Sequence, residues 1–352
     1  MDSEKNSNLL NSYNVKIVRN EVQSLYGLTK GMLLEEDSSI LSLAFHNYLL
    51  FFTIEAINYV SEFSNTTINY NYKTQLKRSR AKIKPYELSI ENITTNINNL
   101  NYKTMEYFSR DLSEIIKKLF GNMIDNLGIY KYKSKIISNT FLIASDLKHL
   151  IYTNNEIDSQ KIISSSKTVG ELLSLLMNLF GNKRTKICKL NILDKIELKD
   201  YNVINKNNKL LKEDIDINIA LFILDNLSIL NFYNLIIRNF NICDSLKYRI
   251  AYVSFYRTFY NLNKLFEKSF DEKLEGINKI CKKYSCLDNR IFRNGICHYN
   301  ITDKLDNSDI DRNEMYLGLI KKYLKIDELT FKNMLNNYYS ELSNEIENLI
   351  LK

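Results

Sequence analysis

The sequence predicts an all-α protein built of two helical parts. Three observations carry that prediction. The chain has one proline, Pro85, and nine glycines in 352 residues, too few breakers for a turn-rich β protein. Apolar residues recur at helical spacing over long stretches, and no alternating run of useful length marks a strand. Asp or Asn precedes several of these stretches, where a helix N-cap is expected. Hydrophobic residues make up 45% of the chain, enough for a sizeable core, and the length suits two domains or one extended helical protein.

The opening MDSEKNSNLLNSYN is polar and lacks an apolar run, so no secretory signal is expected. Residues 40–63 form a broadly apolar helix, followed by polar positions 64–67. Residues 73–84 are basic and poor in apolar residues, and Pro85 then suits the first turn of a helix over 87–120. Gly121 and Gly128 punctuate before helices expected over 134–152 and 156–180. The polar, weakly periodic segment 183–212 is expected to link the two parts, with a long apolar helix over 213–240. Asp244 opens an amphipathic helix to 270, Asp271 another to about 285, and Asp288 or Asn289 caps a third. Helices over 308–324 and 327–351 complete the chain. The expected division is thus a helical N-terminal domain, 1–212 with an upper limit of 240, and a C-terminal bundle, 241–352.

Segments 41–60 and 219–237 are long enough to cross a bilayer. The first carries His46, Asn47, Glu55 and Asn58, the second Asp225, Asn226, Asn231 and Asn234, all costly in lipid. Both are read as buried helices of a cytoplasmic protein with no membrane partner. Net charge is +7, from 48 basic against 41 acidic residues, a mild excess compatible with an anionic partner. The five cysteines form no CxxC pair and no His cluster completes a zinc site, so reduced thiols are expected and neither metal nor cofactor is implied.

The pattern that carries chemistry is Arg293-Asn294-Gly295-Ile296-Cys297-His298. With three His in the chain, an Arg at this spacing arises by chance roughly 0.3 times, and requiring Asn after the Arg lowers that to about 0.04. Imidazole can accept or donate a proton near neutral pH, and a guanidinium is always charged and forks onto phosphate. On a helix Asn294 lies one turn before His298, about 40° away, where its amide can orient the imidazole; Arg293 is about 140° from His298, so the two flank a cleft. The bland alternative is a surface or structural Arg and His.

This Arg-Asn-x3-His run resembles the signature of the HEPN superfamily, and the resemblance covers about 241–352, with two bundle helices ahead of the motif. It implies an α-helical bundle and a metal-independent endoribonuclease that cuts RNA by 2′-hydroxyl attack, with Arg293, Asn294 and His298 catalytic. It also implies a homodimer, since one chain supplies one such His, and a role in a toxin–antitoxin or antiphage defence system. The N-terminal part would then recognise RNA, an antitoxin or a phage trigger. Two positions differ from some relatives: Tyr299 adjoins the His, with Asn300 where certain toxins have Tyr, and no His-His pair is present. A non-catalytic HEPN module that binds RNA or nucleotide is the alternative.

Further RNA contacts are expected from the basic run, which holds Lys73, Lys77, Arg78, Arg80, Lys82 and Lys84 with no acid between Glu62 and Glu87. A solvated charged face is the competing reading. Lys183, Arg184, Lys186 and Lys189 form a second cluster. Arg257 and Tyr299 are added as candidate RNA contacts; Tyr256 is read as core.

Overall fold

The computed structural model describes residues 2–34, 37–61, 126–153, 156–157, 159–181, 187–188, 195–203, 209–268, 271–299 and 301–352, with isolated positions 93, 95 and 99. The helix expected over 87–120 and both basic clusters lie outside these residues, apart from positions 93, 95 and 99. What remains is predominantly helical, as composition and periodicity predict.

Two long helices open the chain, α1 (Asp2–Leu33) and α2 (Ser38–Ser61). On α1, Asn14, Val18, Glu21, Leu25, Leu28 and Met32 are buried. Their alternating spacings of four and three residues trace one helical face. Asn14 and Glu21 are polar, and both reach the site described below. On α2 the polar side chains inside the apolar run are docked: Asn47 Nδ2 donates to the Asp146 carbonyl at 2.8 Å, and His46 Nε2 lies 2.9 Å from Ser165 Oγ.

A small sheet follows, where none was expected. Strands β1 (Asn126–Tyr132) and β2 (Lys135–Asn139) form a hairpin, and β5 (Glu197–Asn202) pairs antiparallel with the other edge of β1. The expected helix start at 134 is therefore corrected. Lys133 and Ser134 take φ of 50° and 63°, the doubly left-handed turn that joins two twisted strands. Such turns normally announce themselves by Asn-Gly, and Lys-Ser gives no such signal. After β2 come α3 (Thr140–Ile151), the two-residue strands β3 (Tyr152–Thr153) and β4 (Glu156–Ile157), and α4 (Ser159–Leu179).

The expected linker also carries structure, since β5 lies within it. Near its end, Lys212 N–H donates to the Ile350 carbonyl and Lys352 N–H to Leu210, so this stretch is pinned to the chain's last residues. Helix α5 (Ile217–Asn231) is capped by Asp216, which accepts from Asn218 and Ile219 N–H, and continues through a π turn at Phe232–Ile236. Its polar residues are paired, with Asn139 Nδ2 donating to Asp225 at 2.8 Å and Asn261 Nδ2 to Asn226 at 3.1 Å. Segments Ser39–Ser61 and Ile217–Asn239 are each apolar and long enough to cross a membrane, and 83% of an apolar 18-residue stretch within each is buried inside the fold.

The C-terminal helices are α6 (Asp244–Lys268), α7 (Glu275–Lys283), α8 (Arg290–Cys297), α9 (Leu319–Leu324) and α10 (Glu328–Ile350). The helix expected over 308–324 is shortened to α9. Leu317 and Gly318 take φ of 59° and 101°, and Glu314 accepts from the Ile320 N–H instead of continuing a helix. Among the described residues one hydrophobic core runs from Val18 on α1 to Ile350 on α10, shared by helices from both halves of the chain.

His46 gives this core a pH dependence. Burial pushes its pKa down from 6.5 to about 4, so it is neutral in the fold while the unfolded chain takes up a proton near 6.5. Its contribution is complete above pH 6.5 and is lost as pH falls toward 4. Unfolding in urea should show that His46→Gln removes about 2 kcal/mol of the stability lost between pH 7.5 and pH 5. An identical pH dependence in the variant would show that His46 is hydrated.

Candidate functional site

Helix α8 places the Arg-Asn-His motif. Asn289 caps it, its side chain accepting from Ile291 N–H at 3.0 Å and Phe292 N–H at 2.9 Å. Phe292, Gly295 and Ile296 form its buried face. Phe292 packs edge-on to Tyr252 and Phe331, with centroids 4.7 and 5.6 Å away. A Cβ on Gly295 would meet Leu319 Cδ2 at 2.9 Å, so glycine permits the close approach of α9. The opposite side carries Arg293, Asn294 and His298, all half-buried.

The helix ends at His298. Its N–H still bonds the Asn294 carbonyl at 3.1 Å, but its backbone has turned out of the helix, with φ −106° and ψ 9°. Tyr299 follows in the left-handed region at φ 56°, a conformation costing a non-glycine residue about 1 kcal/mol. Three side chains hold it there. Asn14 Nδ2 donates to the Tyr299 carbonyl at 2.7 Å, and the Arg249 guanidinium lies 4.2 Å from the Tyr299 ring centroid. Arg249 also donates to the Ile296 carbonyl, one of the last-turn acceptors that a helix leaves unsatisfied. Glu21 fixes Arg249 in turn, through bonds of 2.7 and 3.1 Å, with both side chains fully buried. Burial alone would lower the Arg249 pKa, but the Glu21 carboxylate raises it, so the guanidinium stays charged.

The imidazole meets α2. His298 Nδ1 lies 3.2 Å from Glu55 Oε2, with the His side chain 37% exposed and Glu55 only 2%. In this geometry the Glu55 carboxylate can accept a hydrogen bond from Nδ1 and fix the orientation of the ring. Orientation of the imidazole was expected from Asn294. Instead Asn294 Oδ1 accepts from Arg293 Nε and Nη2 at 3.2 and 2.8 Å, and Glu55 faces Nδ1. With two of its five N–H groups turned to Asn294, Arg293 has three to offer an anion. Its guanidinium carbon sits 4.7 Å from the Tyr256 ring centroid, so Tyr256 supports the site as well as the helix packing. Beside it, burial pushes the Asp288 carboxyl up and the Arg293 charge draws it down.

Two proposed RNA contacts are corrected. Tyr299 is fully buried beneath Arg249 and packs the end of α8. Arg257 is 1% exposed and forks onto Asp146 at 2.6 and 3.1 Å, which places it in the interior. Lys77, Arg78, Arg80, Lys82 and Lys84 lie outside the described residues. Sequence reasoning missed Glu55, Glu21 and Asn14. The available signal was a carboxylate inside an apolar helix and two polar residues on the core face of α1.

No family model matches this sequence, and neither a curated protein nor a solved structure matches it.

Proposed function

We propose that this chain is a metal-independent endoribonuclease of the HEPN type, cutting RNA through its own 2′-hydroxyl. The supporting observation is the joint placement of a carboxylate-held imidazole, His298 on Glu55, and a partly unoccupied guanidinium, Arg293, on one short helix and its C-terminal cap. The His298 imidazole takes the proton of the 2′-hydroxyl, or gives one to the departing 5′-oxygen. O2′ attacks phosphorus, the P–O5′ bond breaks, and the products are a 2′,3′-cyclic phosphate and a 5′-hydroxyl. Arg293 neutralises the charge gathering on the non-bridging oxygens, where a fixed fork serves better than the point charge of a lysine.

One His298 performs one of the two proton transfers. The second comes from a second copy of the chain in a two-fold dimer with its α8 facing the first, as the HEPN resemblance implies. The same resemblance supports a cytoplasmic toxin or antiphage effector restrained by an antitoxin or released by a phage trigger. The test is incubation of the full chain with single-stranded RNA in EDTA, where cleavage is expected. Cleavage that stops in EDTA and returns with magnesium would overturn the proposal, and RNA binding without cutting would favour a non-catalytic module.

A further inference from the structure

Tyr256, Tyr260 and Lys264 stand four residues apart on α6 and share one face, about 12 Å from first to last. Each is linked to the next. The Arg293 guanidinium lies 4.7 Å from the Tyr256 ring centroid, and the Tyr256 and Tyr260 rings stack at 6.3 Å with 22° between their planes. Lys264 Nζ then lies 4.8 Å from the Tyr260 centroid. Tyr256 is half-buried, but Tyr260 is 39% exposed, an aromatic ring left at the surface with Tyr256 on one side and Lys264 on the other. The ladder begins at the residue assigned to the scissile phosphate and runs away from it, with the acidic Glu267 one turn beyond its far end.

We propose that this face of α6 is a binding track for single-stranded RNA, with an unpaired base stacking on the exposed ring of Tyr260 and the backbone passing from Lys264 to Arg293. The inference rests on the RNA-cutting reading of the site and extends it to substrate recognition. An aromatic face accepts any base, and flanking cations pair with phosphates, the combination that single-strand binders use. A duplex keeps its bases stacked on one another and presents none of them to a ring, so the track selects single strands. Selection by stacking also predicts tolerance of base identity, with preference for segments that leave bases splayed.

Fluorescence anisotropy of the full chain with a labelled, fully 2′-O-methylated octanucleotide tests this, because that RNA binds but lacks the attacking hydroxyl. Tyr260→Ala should weaken binding about ten-fold, the loss of one base–ring stack. Tyr260→Phe should bind like the parent, since it keeps the ring. Lys264→Glu should weaken binding and flatten its salt dependence. A duplex of the same sequence should compete poorly. The track is overturned if no binding is seen, if Tyr260→Ala and Lys264→Glu bind like the parent, or if the duplex competes equally. Cutting of unmodified RNA is measured separately. Tyr260-dependent binding without cutting would remove the nuclease reading and keep the track, whereas cutting with binding indifferent to Tyr260 would do the reverse.

Discussion

Replacing His298 with glutamine is expected to lower the rate of RNA cleavage by about 10³-fold while leaving the protein folded, because general acid–base groups contribute on that order. Glutamine is the informative substitution. Its amide can still donate to Glu55, a carboxylate 2% exposed that would otherwise lose the imidazole 3.2 Å away. His298→Ala should lose the same activity and also about 1–3 kcal/mol of stability, the cost of taking a partner from a buried acceptor. Single-turnover cleavage and urea unfolding of both variants separate chemistry from structure. A His298→Gln protein that cuts within ten-fold of the parent rate would remove His298 from proton transfer.

The largest effect on stability is expected at the buried Glu21–Arg249 pair. Glu21→Leu leaves a guanidinium that is fully enclosed and cannot shed its charge, and should cost about 3–5 kcal/mol in urea unfolding. Adding Arg249→Met removes the stranded charge and should restore most of that loss, since well-packed apolar replacements of buried ion pairs are near neutral. Activity should not return with it. Arg249 is the donor to the Ile296 carbonyl and the support of the Tyr299 ring, so without it the turn that presents His298 loses two of its anchors. A cost below about 1 kcal/mol for Glu21→Leu would mean that water reaches the pair. A double variant restored in both stability and activity would reduce the pair to packing.

Three of the C-terminal helices were legible because their starts are chemically marked. Asp271, Asn289 and Asp327 each accept from backbone N–H groups in the first turn of a helix, the role their side chains suggest in the sequence. The sheet was not legible. Four of the five residues of β2 are buried, so the strand shows no in-out alternation and reads like part of an apolar helix. The site divides in the same way. Arg293, Asn294 and His298 are close in sequence, and spacing alone brings them together. Glu55 and His298 are 243 positions apart, and Asn14 and Tyr299 are 285 apart, separations over which spacing carries no information. These polar residues of α1 and α2 bring the N-terminal helices into contact with the end of the motif helix.

The central claim is that the RNA supplies its own nucleophile to a site without metal. The direct measurement is product analysis in EDTA on a single-stranded RNA and on copies carrying one 2′-deoxyribose at each cut position in turn. The account predicts 2′,3′-cyclic phosphate and 5′-hydroxyl ends, with each deoxy substitution abolishing the cut immediately 3′ to it and leaving the others. Products with 3′-hydroxyl and 5′-phosphate ends, or cutting that continues 3′ to the deoxyribose, would contradict it.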